Sequence, residues 1–305
     1  MNFLDEILSF RDQLKFDAEF KLDDIDYGSI VYVGMGGSSV PGMIFSRVYS
    51  EKPFTVWNDY GLPDHVPSDS LVIAVSYSGN TEETISSVNE ARNRGLWVIG
   101  MGTGGKLKEM CNQWVDLPSG YQPRSSLGFI LTVLVRTFLG IGSLGNAQSL
   151  IGALDNENGH LKDIAEKIVS GKRIPLIYSF HPYDVVAYRW KTQFNENSKL
   201  LAYTATFPEL DHNEIVGLSG SYGKENLHFL VLGKSENERI QKRIGLTMDL
   251  TGTEYDIIEA KGNSVLERML YLTHCGDYIS LYAAQARGID PEDVSVITRL
   301  KNSLQ

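Results

Sequence analysis

The chain has 305 residues, more than one compact core usually holds, so two domains are the starting expectation. With 42% hydrophobic and 22% charged residues, the composition is that of a water-soluble globular protein, not of a disordered or fibrous one. A formal net charge of −10 disfavours a nucleic-acid partner, because no excess of cations is there to displace counterions, yet it leaves a small phosphorylated ligand open.

The opening stretch, MNFLDEILSFRDQL, is acidic and amphipathic and has no apolar signal core. No run reaches the length of a membrane span, so no membrane partner is expected and the cytoplasm is the default location. Strand-like and helical patterns then alternate. SIVYVGMGGSS (Ser29–Ser39) reads as a strand entering a Gly-rich turn, followed by a helix through VPGMIFSRVYS. FTVWND, LVIAVSYS and LWVIGMG are further short strands with room for crossovers between them. Thr81–Gly95 carries Ile85, Val88 and Ala91 at helical spacing, and Gly95 is its stop. SSLGFILTVLVRTFLGIG (Ser125–Gly142) is apolar nearly all round and should be a buried helix. Strands alternating with helices predict an α/β fold with a parallel, doubly wound sheet.

Two turns in this half stand at the ends of strands. In the first, Gly34-x-Gly36-Gly37-Ser38-Ser39 departs from the dinucleotide pattern G-x-G-x-x-G by a serine at the third glycine, and Asn58-Asp59 is the nearest acid for a ribose. No nucleotide cofactor is expected. In the second, VSYSGNTEET (Val75–Thr84), a buried strand delivers three hydroxyls, Ser76, Ser78 and Thr81, into the start of a helix, and Gly79 permits close backbone approach. Unpaired N–H groups and the positive end of the helix dipole suit a phosphate there. A plain capped junction is the competing explanation, since Ser and Thr are common caps. In a doubly wound sheet the two turns share one crevice, which adds Gly36, Gly37 and Ser38 to the anion's expected surroundings.

The stretch GSLGNAQSLIGALDNENGHLKD is polar and Gly/Asn-rich, and places a domain boundary near residue 150, giving domains 1–150 and 151–305. A second series follows: RIPLIYSF, the helix YDVVAYRWKTQFNENSK, then LLAYTAT, LHFLVLG and YDIIEA. The helices NSVLERMLYLTHCGDYISLYAAQARG and PEDVSVITRLKNSLQ close the chain. This half reads as another α/β sandwich, with no sequence repeat between the halves. Cys111 and Cys275 lack any CxxC or Cys/His spacing, and no His/Glu cluster has the spacing of metal ligands, so no metal is expected.

SYSGNTEET, with GMGGSS upstream, resembles the sugar isomerase (SIS) fold, whose S-x-S-G-x-T turn holds a sugar phosphate. PRSSLG (Pro123–Gly128), AYRWKTQFNENSK (Ala187–Lys199) and ELDHNEIVG (Glu209–Gly217) extend the resemblance to the bifunctional phosphoglucose/phosphomannose isomerases, mostly archaeal, of the phosphoglucose isomerase superfamily. The resemblance spans nearly the whole chain. It implies two SIS-type domains with an active site between them, no cofactor, and interconversion of glucose, mannose and fructose 6-phosphates. A sugar-phosphate-binding regulator and an aminosugar-phosphate isomerase are the alternatives. A regulator would normally add a basic helix-turn-helix domain, whereas the N-terminal stretch here is short and acidic.

Aldose–ketose isomerisation moves a proton between C1 and C2 of an opened sugar. It needs a base, a stabiliser of the enediolate and an acid/base for ring opening. The resemblance makes Glu196, at the end of its helix, the base. It makes His212 the ring-opening residue, reaching the partner's pocket in a homodimer, and Arg124 the cation beside the C1–C2 edge. Lys301 corresponds to a lysine that members of the family bring to the pocket near the chain end, although DPED here places Glu292 where they often carry Thr-Pro. His65, His160, His181, His228 and His274 stand in no local constellation and read as structural or surface residues.

Overall fold

The computed structural model describes residues 2–23, 25–220 and 222–304. The chain forms two compact units, residues 1–148 and 149–305. The first begins with two short helices, α1 (Phe3–Leu8) and α2 (Phe10–Gln13), and continues through β1 (Ser29–Gly34), α3 (Val40–Phe45), β2 (Phe54–Trp57), β3 (Ser70–Val75), α4 (Glu82–Asn93), β4 (Trp97–Gly102), α5 (Gly105–Met110), β5 (Gln113–Asp116) and α6 (Leu127–Phe138). Its five strands are all parallel in the order β2-β1-β3-β4-β5, with Val31 paired to Thr55 on one side and Val72 on the other.

Every residue of β1 and β3 is buried, because helices cover both faces of the sheet. On one face Val31, Val33, Val72, Ala74 and Val98 meet Val88 and Ala91 of α4 and Leu107 of α5. On the other, Phe45 of α3 packs on Phe54 at 5.3 Å and on Phe138 of α6 at 5.8 Å between ring centroids. The predicted buried helix is α6, sealed from Leu127 through Val135 without a break. Strand β5 and helix α5 have no counterpart in the sequence pattern. Only Val115 of β5 is buried, and QWVD sets just two apolar residues between polar ones, too few to read as a strand.

Helix α7 (Ala147–Asn156) spans the junction of the units. The second unit runs through α8 (Gly159–Ser170), β6 (Ile174–Phe180), α9 (Asp184–Asn197), β7 (Tyr203–Phe207), α10 (Glu214–Ser219), β8 (Leu227–Leu232), α11 (Glu238–Thr251), β9 (Tyr255–Ile258), α12 (Val265–Arg287) and α13 (Ser295–Ser303). Its four parallel strands lie in the order β7-β6-β8-β9. Helix α12 is the long buried element. It starts at a capping box, Ser264 with Glu267, and stops at Gly288 in the left-handed region (φ 64°). Trp190 of α9 lies flat against Gly276 of α12, where any side chain would collide, and donates its indole N–H to Leu272 O at 2.7 Å.

In each sheet the order in which the chain adds strands reverses at one place, between β1 and β3 in the first unit and between β6 and β8 in the second. Connections leaving the two strands diverge there and open a crevice at their carboxyl ends, where ligands of doubly wound sheets bind. Both sequence turns, after β1 and after β3, open onto that crevice of the first unit. Among the described residues no helix is long and apolar enough to cross a membrane.

Candidate active site

The turn after β3 shows how its hydroxyls are used. Ser76 is buried, and its Oγ lies 2.8 Å from Thr81 Oγ1. Thr81 occupies the N-cap position of α4 yet makes no side-chain bond to the helix N–H groups. Its hydroxyl is turned to Ser76 instead, so the capping explanation does not account for it, and the first-turn N–H groups of α4 keep their capacity for an acceptor. Ser78 is exposed, and its Oγ accepts a long bond from Asn80 N at 3.3 Å. Gly79 has φ 67°, and a Cβ there would sit 1.6 Å from Gly104 O, so this position tolerates glycine alone.

The turn after β1 is fastened to the same place. Ser38 Oγ accepts the Tyr77 N–H at 3.2 Å, which joins the two turns directly. A Cβ on Gly37 would lie 2.7 Å from Arg124 Cα, so the glycine lets the Arg124 backbone pack onto the turn. Gly36, exposed with φ 52°, gives the turn its bend. Arg124 itself lies in a short 3-10 turn, Pro123–Ser126, that leads into α6. It is buried, with its guanidinium 5.2 Å from the centre of the Phe3 ring. Gly36, Gly37, Ser38, Ser76, Ser78, Gly79, Thr81 and Arg124 therefore gather at one corner of the first unit. Glu82 and Glu83 stand in the first turn of α4 and offset part of its dipole, which leaves hydroxyls and N–H groups to carry an anion there.

Glu196 lies half-buried in the last turn of α9. Its neighbours differ in use: Asn195 is exposed, whereas Asn197 is buried and donates to Ser280 Oγ of α12 at 2.9 Å. One and two turns earlier, Gln193 and Arg189 both bond Asp277 Oδ1 of α12, at 2.5 and 3.0 Å. This ladder fixes the rotation of α9 and so the direction in which Glu196 leaves it. Lys199, φ 51°, closes the segment by donating to Glu196 O at 2.9 Å and Asp290 O at 2.6 Å.

His212 is exposed in a 3-10 turn, Glu209–His212, at the carboxyl end of β7. Neither Asp211 nor His212 caps α10; Asn213 does, accepting from Glu214 N at 2.6 Å. Asp211 instead holds Arg243 Nη1 at 2.9 Å and Thr247 Oγ1 at 2.7 Å on α11, which sets the turn bearing His212. Helix α9 runs back against β6, so Glu196 sits near the amino end of the sheet and His212 at its carboxyl end. The five residues of β7 between them span roughly 17 Å at about 3.3 Å per residue. Lys301 is exposed on α13, a helix with no buried residue.

Two histidines without sequence neighbours do hold carboxylates. His228 Nε2 lies 2.9 Å from Asp256, and buried His274 Nε2 lies 2.7 Å from Asp155 Oδ1, which also accepts from Tyr278 OH at 2.7 Å. The sequence hides both couples because 28 and 119 residues separate the partners. Among the described residues no three His, Cys, Asp or Glu side chains come together as a metal ion would need.

Residues 157–304 match the family model described as the bacterial phospho-glucose isomerase C-terminal SIS domain. A bifunctional phosphoglucose/phosphomannose isomerase of Thermoplasma volcanium is 44% identical over 306 residues, covering 100% of both chains. The chain belongs to the bifunctional phosphoglucose/phosphomannose isomerase family. The enzyme of that name from Thermoplasma acidophilum is also 44% identical, over 100% of this chain and 98% of its own. Among solved structures, the C-terminal domain of glucosamine-fructose-6-phosphate aminotransferase from Francisella tularensis superposes with a TM-score of 0.73 over 94% of this chain and 96% of that one. At 15% identity that likeness speaks for the SIS fold alone. The likeness to the isomerases runs over the full length of this chain and so covers both units.

Proposed function

We propose that this protein interconverts glucose 6-phosphate and mannose 6-phosphate with fructose 6-phosphate by proton transfer through an enediol. The observation that carries this reading is the full-length match, at 44% identity, to enzymes named for both activities. The hydroxyl turn supports it, because Thr81 withholds its hydroxyl from the cap and keeps a helix N-terminus ready for a phosphate.

In this reading Ser76, Ser78 and Thr81 hold the 6-phosphate with backbone groups at Gly36, Gly37, Ser38 and Gly79. After ring opening, Glu196 takes the C2 proton of the aldose, and the C2–H electron pair becomes the C1–C2 double bond of the enediolate. Arg124 stabilises the negative charge on oxygen as it develops. The O2 hydroxyl proton passes to O1, and return of the other proton from Glu196 to C1 gives the ketose. Return at C2 from either face gives the glucose or the mannose epimer. Lys301 is assigned to the sugar's surroundings with the least structural support, since α13 buries nothing.

His212 opens the ring, and we assign it to the site of a second copy. Glu196 and His212 stand at opposite ends of one sheet, and two groups serving one hexose must approach within a few ångströms of it. A homodimer in which each chain lends its His212 to the other meets that requirement.

The test is a pair of coupled assays on the purified protein with glucose 6-phosphate and mannose 6-phosphate. Formation of fructose 6-phosphate from both, with solvent deuterium entering C2 in the reverse direction, is expected. Turnover of neither sugar, with tight sugar-phosphate binding retained, would favour the regulator reading instead.

A further inference from the structure

Arg124 is borne by a nine-residue segment, Pro118–Ser126, that contains no regular structure before its final turn. Such a segment is costly to hold still. Side chains from outside it fasten its backbone at four points. Tyr77 OH donates to Pro118 O at 2.8 Å and accepts from Tyr121 N at 3.0 Å, using both of its hydrogen-bonding capacities. Glu6 of α1, only 4% exposed, takes the Gln122 N–H at 3.1 and 3.3 Å. Gln13 of α2 donates to Ser125 O at 2.7 Å and accepts Gly128 N at 3.0 Å.

Tyr77 is placed between Ser76 and Ser78, the two serines assigned to the phosphate. Its backbone is fixed as well: the N–H goes to Ser38 Oγ, and the carbonyl accepts from both Thr103 N and Thr103 Oγ1 at 2.8 Å. One residue is thus bolted to the anion turn by its main chain and to the arginine segment by its side chain. Glu6 holds that segment again two residues before Arg124.

We propose that Tyr77 and Glu6 are positioning residues that tie the Arg124 segment to the phosphate turn, so that the grip on the phosphate sets the arginine at the reacting end of the sugar. This coupling rests on the isomerase reading above. Binding energy from a non-reacting part of a substrate accelerates a reaction only if the protein transmits it to the reacting atoms. A tyrosine anchored at both ends is a short, stiff path for doing so, and a misplacement of about 1 Å at a catalytic group costs on the order of 10²-fold in rate.

The experiment measures kcat and KM for fructose 6-phosphate, with thermal midpoints, for the parent and for Tyr77→Phe, Glu6→Ala, Glu6→Gln and Arg124→Met. Tyr77→Phe and Glu6→Ala are expected to lose about ten- to hundredfold in kcat, with KM within about threefold of the parent. Glu6→Gln, which keeps an oxygen for the Gln122 N–H, should recover most of that loss. In an Arg124→Met background the first two substitutions should cost less than about threefold more, because the group that they position is gone. Retention of kcat within about twofold in Tyr77→Phe and Glu6→Ala, or full losses that repeat in the Arg124→Met background, would overturn the proposal. An Arg124→Met variant as fast as the parent would overturn it too, because the arginine would then have no work to be positioned for, whereas a parent that turns over no sugar phosphate refutes the isomerase reading on which the coupling rests.

Discussion

The placement of Glu196 and His212 at opposite ends of one sheet allows a quantitative test of how chains share a site. Glu196→Gln keeps the shape of the side chain and removes the proposed proton acceptor, and His212→Ala removes the proposed ring-opening group. Each homodimer should fall by about 10²–10⁴-fold on ring-closed substrate. In a mixed dimer built from one chain of each kind, the two sites are unequal if His212 is exchanged. One site combines the Glu196→Gln lesion of one chain with the His212→Ala lesion of the other and is dead twice over. The other site receives an intact Glu196 with an intact His212 and is whole. The mixed dimer, isolated with two different affinity tags, should therefore show about half of the parental kcat at an unchanged KM, a recovery of at least about 50-fold over either homodimer. If His212 serves its own chain, both sites of the mixed dimer carry one lesion and activity stays at the homodimer level. That outcome would refute the exchange and with it the inference drawn from the length of β7.

The serine turn can be tested by contrast: Ser78 is exposed with one long bond, whereas Thr81 holds buried Ser76. Ser78→Ala should leave stability within about 0.5 kcal/mol and raise KM roughly tenfold, while Thr81→Ala should raise KM similarly and also destabilise by about 1–3 kcal/mol; urea unfolding and saturation kinetics separate the two. Gly79→Ala forces a Cβ onto Gly104 O, so substrate saturation should be lost even where the protein stays folded by circular dichroism. Burial holds His228 below its ordinary value of 6.5, with Asp256 beside it acting in the opposite direction. The folded state then binds fewer protons than the unfolded one, so this stability is full above about pH 6.5 and declines as the pH falls through the lowered folded value. His228→Gln should flatten the fall in unfolding midpoint across that acid range, and an unchanged slope would contradict the burial argument. Burial likewise pushes the Cys111 thiol up to about 12, so the native protein should react slowly with thiol reagents at pH 8 and quickly once unfolded.

What could be read from the sequence was local. β1 and β3 are unbroken apolar runs because both faces are covered, and their carboxyl ends announce themselves through Gly36-Gly37-Ser38 and Ser76–Thr81. Helix α6 is legible for the same reason, since a helix sealed from Leu127 to Val135 has no polar face to disguise it. Strand β5 was not legible, because QWVD sets only Trp114 and Val115 between two polar residues, whereas the equally short edge strand β2, FTVW, carries three apolar ones. The larger gap concerns side chains whose partners are distant in sequence. Tyr77 looks like an incidental residue between two serines until its hydroxyl is seen on Pro118 O, 41 positions away. The N-terminus reads only as an acidic, amphipathic stretch, yet Glu6 and Gln13 are buried polar groups fastened to residues more than a hundred positions on. Motif reading finds groups that meet a ligand through a turn; it does not find the groups that hold that turn in place.

The chemistry of the two ends of the substrate explains why these supports matter. The corner around Ser76, Ser78 and Thr81 offers neutral donors, and the acidic first turn of α4 weakens its attraction for anions in general. A phosphate held there is held by geometry, and it is held equally in the ground state and the transition state. Interactions of that kind lower KM by themselves and, in the coupling proposed above, reach kcat only through the tie to the Arg124 segment. Arg124, the charged group that the resemblance assigns to the reacting end, is strapped by Tyr77, Glu6 and Gln13 through its own segment. A full charge acts most strongly where negative charge appears only during the reaction, provided that it does not have to move to meet it. In the proposed function, neutral donors at the phosphate and one fixed guanidinium at the enediolate would therefore divide the work between holding the sugar and accelerating its isomerisation.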